Sequence, residues 1–367
     1  MDNAATTAVC KEACDAALSV MTTEYGNASS THTKGRNAAK ILNASRKTIA
    51  DSIKAASEEI VFTSCGSESD NWAILNGADL MKRKGNHLIT SSVEHDAVRK
   101  SFEKLESQGF DVTYLSPDNT GRINPDDVLN ALRVDTILVS LMMVNNETGA
   151  VTDIKAVADV LKRANSNALL HTDAVQAYMK VPINTKTLGA DLISFSGHKI
   201  HAPKGIGILY IKKGIKLKPF IVGGSQESSR RAGTENLPSI AALAAACKLG
   251  SAADEMAEKK ELLISRLEEE IPNIRYIKSD APHILNISLP GYRSEVLMNF
   301  LEARQIYVSK SSACKQGKRS HVLEAIGLPS DVIDGSLRIG LSRYTSNDDI
   351  IALVEGLKDA ASSLAHR

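Results

Sequence analysis

The chain has 367 residues, 43% of them hydrophobic and 24% charged, with a formal net charge of +1. That is the balance of an ordinary soluble globular protein long enough for two domains, and it offers no electrostatic case for binding nucleic acid or an anionic membrane. Aromatic residues make up only 4%, which argues against platforms for stacking bases, and the longest apolar runs fall far short of the ~20 residues a membrane helix needs.

The N-terminal stretch MDNAATTAVC has no basic segment leading into an apolar one, so no secretory signal is expected. Cys10 and Cys14, spaced i, i+4 on an expected helix, read as structural, because two cysteines alone do not make a metal site. Strand-like runs at 60–63, 87–90, 112–115, 137–144, 168–171, 192–194 and 207–211 then alternate with helical stretches such as 69–83 and 154–164. Such alternation implies right-handed crossovers and a largely parallel sheet covered on both faces, with the ligand site beyond the carboxyl ends of the strands. Composition shifts near residue 250. DEMAEKKELLISRLEEEI reads as a long amphipathic helix with Met256, Leu263, Leu267 and Ile271 on one face, and ILNISLP, QIYVSK and SLRIGLS read as strands of a smaller α+β unit. The expected division is a large domain over 15–250 and a small one formed by 1–14 and 251–367. The odd count of five cysteines, with no pair of CxxC motifs, fits free thiols in a reducing cytoplasm.

Polar clusters follow the expected strands. TSCGSESDN, residues 63–71, links a strand to a helix through small residues that let an anion approach backbone N–H groups; an ordinary capped helix start has the same look. Asp173, in HTDAVQ, ends a buried strand, where a carboxylate needs a cation: a protonated ring nitrogen or a structural arginine. His95, in SSVEHDAV, is either a helix cap or an imidazole stacked on a flat ring. Lys199, in SFSGHKI, sits in a tight turn between two apolar strands, either anchoring an anion or forming an imine. Taken together, a phosphate cradle, a buried carboxylate, a stacking imidazole and an imine-forming lysine match what pyridoxal 5'-phosphate requires, which makes the lysine covalent. Cys314 lies in VSKSSACKQGKR among Lys310, Lys315, Lys318 and Arg319, which favour its thiolate, whereas Cys247, in AAAC, reads as a buried small hydrophobe.

Nearly end to end, the chain resembles the NifS/IscS-like cysteine desulfurases of the class V aminotransferase group, which have the pyridoxal-phosphate fold type I. The resemblance runs through DNAATT (2–7), GNASSTHTKGR (26–36), FTSCGSESDN (62–71), EHDAV (94–98), VNNETG (144–149), TDAVQ (172–176), SFSGHKI (194–200), PKGIG (203–207), RRAGTEN (230–236), SSAC (311–314) and LRIGLSR (337–343). It implies a large domain with a mainly parallel seven-stranded sheet and a small α+β domain. It also implies that Lys199 carries the cofactor as an imine, Asp173 pairs with the pyridine nitrogen, Gln176 bonds the phenolic oxygen and His95 stacks on the ring. Gly66, Ser67, Ser196, Gly197 and His198 would hold the phosphate, with Thr234 arriving from the second subunit of a homodimer. Asn146 and Arg338 would bind L-cysteine, and Cys314 would take its sulfur as a persulfide for a scaffold or thiolation enzyme serving iron–sulfur clusters or tRNA. No metal is implied. Cys65 and Ser67 stand where Gly and Thr are more usual, Ala28 where Pro is common, and Lys310-Ser311 where Ser-Gly is usual. The loop after Cys314 is shorter than in IscS-type members, and their C-terminal extension is not expected. Selenocysteine lyase or another class V activity is the competing enzymatic reading; SSAC favours the desulfurase.

Overall fold

The computed structural model describes residues 1–277, 279–311 and 319–364; Cys314 and its neighbours at 312–318 lie outside these. Its centre is a seven-stranded sheet whose inner strands are buried at every position. Burial on both faces, which takes in His87, Thr90, His171 and Ser194 as well as the Val, Ile and Leu positions, is what a sheet covered on both sides demands. The strands are β1 (Ile60–Thr63), β2 (His87–Ser91), β3 (Asp111–Leu115), β4 (Thr136–Ser140), β5 (Leu169–Asp173), β6 (Leu192–Ser196) and β7 (Gly207–Ile211). Their order is β1-β7-β6-β5-β4-β2-β3. Pairing is parallel from β3 through β6, and β7 runs antiparallel to both β6 and β1. Thus β1, β2, β4, β5 and β6 all point the same way, and their carboxyl ends gather along one edge.

Helices Lys11–Thr22, Thr33–Ser52 and Leu237–Lys248 pack together on one side of the sheet. The expected helix at 69–83 begins earlier, at Gly66, and passes through a π turn at Trp72–Asn76 before ending at Met81. The apolar run 137–144 leaves the sheet at Ser140; Leu141, Met142, Met143 and Val144 are buried as a loop instead.

A second sheet, in the order β10-β11-β9-β8, is antiparallel throughout: β8 (Arg275–Ile277), β9 (Ile284–Ser288), β10 (Ser309–Lys310) and β11 (Ser336–Gly340). QIYVSK pairs only through Ser309 and Lys310. The helix Ala253–Glu270 buries Met256, Leu263 and Leu267 as its spacing predicts, and Ile271 just beyond it is buried as well. Asn347–Ser363 adds Leu353, Val354 and Leu357 to the same core. The N-terminus joins this sheet: Asp2 pairs with Gly340, and a Cβ on Gly340 would lie 2.4 Å from the Ala4 nitrogen, so only glycine admits the crossing. No described helix is long and apolar enough to cross a membrane. Among the described residues, no cluster of three His, Cys, Asp or Glu side chains is placed to hold a metal ion.

Candidate active site

Lys199 closes the short turn Gly197–Lys199 that follows β6. Its Nζ donates to the carbonyls of Ala4 at 2.9 Å and Ala5 at 2.7 Å, so the N-terminal segment is part of the site wall. Burial, and then the nearby Arg338 charge, bring its pKa down to about 8. An amine that loses its proton near neutrality is a usable nucleophile.

Asp173 ends β5, buried to 6% exposure. Its Oδ1 accepts the Val175 N–H at 2.9 Å, and it forms no ion pair among the described residues. Behind it lies Asp70, whose Oδ1 is 3.7 Å from His171 Nε2. His171 hydrogen-bonds Ser140 at 2.8 Å and Ser194 at 3.0 Å. Burial drives the imidazole to a pKa of about 3, so it is neutral. Burial raises both carboxyls, and the Asp173 charge raises Asp70 further, while His95 and Lys199 favour ionised Asp173. The proton therefore sits on Asp70 and the negative charge on Asp173.

Gln176 follows on the same loop, buried, with Nε2 donating to the Ala4 carbonyl at 2.9 Å and Oε1 3.2 Å from His283 Nε2. Across from it, Gly66 starts its helix so close to the loop after β5 that a Cβ would meet Val175 at 2.8 Å and Ser196 at 3.4 Å. Gly66, Ser196 and Gly197 are buried, and Ser67 is exposed. A Cβ on Gly197 would meet Ile206 at 2.8 Å. His198 is held by Thr6 through Nδ1 at 3.2 Å; burial and the Lys199 charge lower its pKa to about 4.

His95 is the N-cap of helix Asp96–Ser107, its Nδ1 accepting the Ala97 N–H at 3.1 Å, while the ring stays exposed. It lines a cavity of about 1080 Å³ together with Glu94, Asn146, Glu147, Ser311 and Ser320. Lys199 borders a separate, water-sized cavity of about 20 Å³ with Lys180, His201 and Arg343. Arg338, on β11 and 2% exposed, bridges the two units: Nη1 donates to the Asn146 carbonyl at 2.9 Å and Nη2 meets Asp2 at 3.3 Å. Thr234 is exposed in the loop before helix Leu237–Lys248 and makes no hydrogen bond to this cluster among the described residues.

Several participants carry no local signature. The Ala4 and Ala5 carbonyls are backbone groups, and His283 approaches from just before β9 of the other sheet. Glu94 is buried, its Oε1 accepting from Ser91 at 2.6 Å and from the Met142 N–H at 3.1 Å, and burial lifts its pKa to about 8. A buried acid in an apolar context shows in sequence only as one more Glu before a helix.

The family model for aminotransferase class-V matches residues 1–353. A cysteine desulfurase IscS of Methanosarcina thermophila is 42% identical over 99% of this chain and 92% of its own. A cysteine desulfurase of Trichormus azollae is 41% identical over 99% and 93%. Among solved structures, a NifS-like protein superposes with a TM-score of 0.92 at 33% identity, covering 99% of both chains. SspA in complex with cysteine gives 0.84 at 33% identity over 94% of this chain and 99% of that one. With the family model and the full-length relatives in agreement, the chain belongs to the aminotransferase class-V family.

Proposed function

We propose that this chain is an L-cysteine desulfurase: it uses pyridoxal 5'-phosphate to convert cysteine to alanine and passes the sulfur to Cys314 as a persulfide. The observation that carries the reading is Asp173, a buried carboxylate with no ion pair among the described residues, set on the same strand edge as an amine of lowered pKa. A buried charge is tolerated only when paired, and a pyridinium nitrogen supplies the missing partner. Class-V aminotransferases and cysteine desulfurases are pyridoxal-phosphate enzymes, and the curated relatives across the full chain are desulfurases.

When bound, the cofactor supplies an electron sink that makes the cysteine Cβ–S bond breakable. Lys199 would hold the cofactor through Nζ, and the same amine would move the substrate's α-proton. Asp173 would hold the charge of the ring nitrogen, Gln176 would donate to the phenolic oxygen, and His95 would stack on the ring. Gly66, Ser67, Ser196, Gly197 and His198 would hold the phosphate, joined by Thr234 from the second subunit of a homodimer. Arg338 grips the substrate carboxylate beside Asn146 as a two-pronged donor. The Cys314 sulfur attacks the substrate sulfur: an S–S bond forms, the Cβ–S bond breaks with its pair going to carbon, and the carbon takes a proton. The persulfide then serves an acceptor protein of the scaffold or thiolation type, for iron–sulfur clusters or tRNA, in the cytoplasm. A separate hydrophobic core around the second sheet supports a division near residue 250 into 15–250 and 1–14 with 251–367, although Cys10, Ala13, Ala281 and Val322 pack into the core of the large sheet.

The test is product analysis with L-cysteine and excess thiol. Alanine and sulfide in equal amounts are expected. Alanine from selenocysteine alone, or a keto-acid product, would replace this reading with a different class V activity.

A further inference from the structure

His283 immediately precedes β9, wholly buried, and no motif announces it. Its Nε2 lies 3.2 Å from Gln176 Oε1, while Nδ1 has no hydrogen-bond partner among the described residues. The Gln176 carboxamide has only one sensible orientation. Its Nε2 donates to the Ala4 carbonyl at 2.9 Å; turned over, two oxygens would face each other there. Oε1 is therefore the atom presented to His283, and a carboxamide oxygen only accepts.

The charges that bear on His283 are Lys180, Lys260, Lys199 and Arg338, from the loop after β5, the helix Ala253–Glu270, the turn after β6 and β11. All four are basic groups, and no acid stands among them. The Lys180 Nζ is itself buried with no hydrogen-bond partner among the described residues, and Lys260 donates to the Ser279 and Ala281 carbonyls. Burial and this one-sided field hold the imidazole well below its ordinary pKa. A neutral ring has one N–H, and the Gln176 oxygen requires it on Nε2.

We propose that His283 is a positioning residue: as a neutral imidazole protonated on Nε2, it holds the Gln176 carboxamide by its oxygen and so aims the remaining Gln176 N–H at the cofactor's phenolic oxygen. This rests on the reading of Gln176 given above. One Gln176 hydrogen is committed to Ala4, which leaves a single N–H to aim. An amide held only at nitrogen can swing about that contact; held at both ends, it cannot.

The test uses the cofactor-loaded protein and the pH at which its visible absorption band titrates. A hydrogen bond to a charged acceptor contributes ~1.5–3 kcal/mol, roughly one to two pH units of midpoint. Gln176→Leu should move the midpoint upward by about that much. His283→Leu should move it the same way, and His283→Gln, which returns an N–H near the Nε2 position, should restore most of it. If Gln176→Leu shifts the midpoint and His283→Leu does not, the positioning role is refuted and the Gln176 reading stands. If neither shifts it, the Gln176 reading falls and takes this proposal with it. Should His283→Leu fail to fold, long-range proton–nitrogen NMR of the wild-type holoenzyme decides. The Nε2–H tautomer from pH 6 to 8 is expected, and an Nδ1–H tautomer or an imidazolium would overturn the proposal.

Discussion

The carbonyl oxygen of Ala4 accepts a hydrogen bond from Lys199 Nζ at 2.9 Å although 195 residues separate the two. The same oxygen accepts from Gln176 Nε2 at 2.9 Å. One backbone atom of the N-terminal segment thus organises two side chains delivered by neighbouring strand ends, and Asp2, two residues earlier, reaches Arg338 from the second sheet. The site is assembled where three remote parts of the chain meet.

The lowered pKa of Lys199 sets a pH dependence. Its folded value, about 8, lies below the ordinary 10.5 because burial disfavours the ammonium. The folded state therefore binds this proton less tightly than the unfolded chain does, and this group's penalty on stability is relieved as pH rises from about 8 toward 10.5. The free amine, the form that attacks a carbonyl, grows across the lower edge of that window. Cofactor uptake by the apoprotein, followed by its visible band, should accelerate with a midpoint near pH 8, and Lys199→Ala should give no borohydride-reducible adduct. A midpoint near 10 would mean the amine is not desolvated as described.

Asp173→Asn should keep the fold and bind cofactor while losing most turnover, because the ring nitrogen then meets a neutral amide. If removing one partner of a buried charge pair costs its usual ~3–5 kcal/mol, the loss is roughly 10²–10⁴-fold in kcat. Steady-state kinetics at saturating cofactor checks this. Activity within a few-fold of wild type would show that Asp173 does not meet the ring.

Arg338→Lys keeps a positive charge but loses the planar fork. An ammonium cannot reach the Asn146 carbonyl, Asp2 and a substrate carboxylate with the same geometry. KM for cysteine should rise by about ten- to a hundredfold, matching ~1.5–3 kcal/mol for a charge-assisted contact, with a smaller change in kcat. A fall in kcat at constant KM would remove Arg338 from substrate binding.

Glu227 tests the frame. Its carboxylate meets Arg46 at 2.6 and 2.8 Å and accepts the Phe62 N–H at 2.9 Å, with side-chain exposure of only 3%. The contact ties the loop leading to Thr234 onto β1. Glu227→Ala leaves Arg46 with only the Ile60 carbonyl and takes the acceptor from a strand N–H, and the expected cost is about 3–5 kcal/mol, read from the urea midpoint. A loss below 1 kcal/mol would show that the pair is solvated in solution.

Which parts of this were legible beforehand follows from physics. Asp173, Gln176 and Lys199 were readable because buried strands of a parallel sheet end in loops on one edge, so polar residues just past each apolar run converge. Strand ends were less readable where burial outlasts pairing: Leu141–Val144 are as apolar as β4 but leave the sheet, and 305–308 look like a strand yet only Ser309 and Lys310 pair. His283 and the Ala4 carbonyl were invisible. One is a lone histidine whose meaning comes from the second sheet docking on the first, and the other is a backbone oxygen that any residue would supply.

The central claim is that sulfur moves from cysteine to Cys314, and peptide mass spectrometry tests it most directly. Wild-type holoenzyme exposed briefly to L-cysteine should carry one additional sulfur on the peptide containing Cys314, with alanine released in equal amount. Cys314→Ser should bind cysteine at the cofactor yet release neither. Sulfur found on Cys65 or Cys247 instead, or full turnover by Cys314→Ser, would contradict the account.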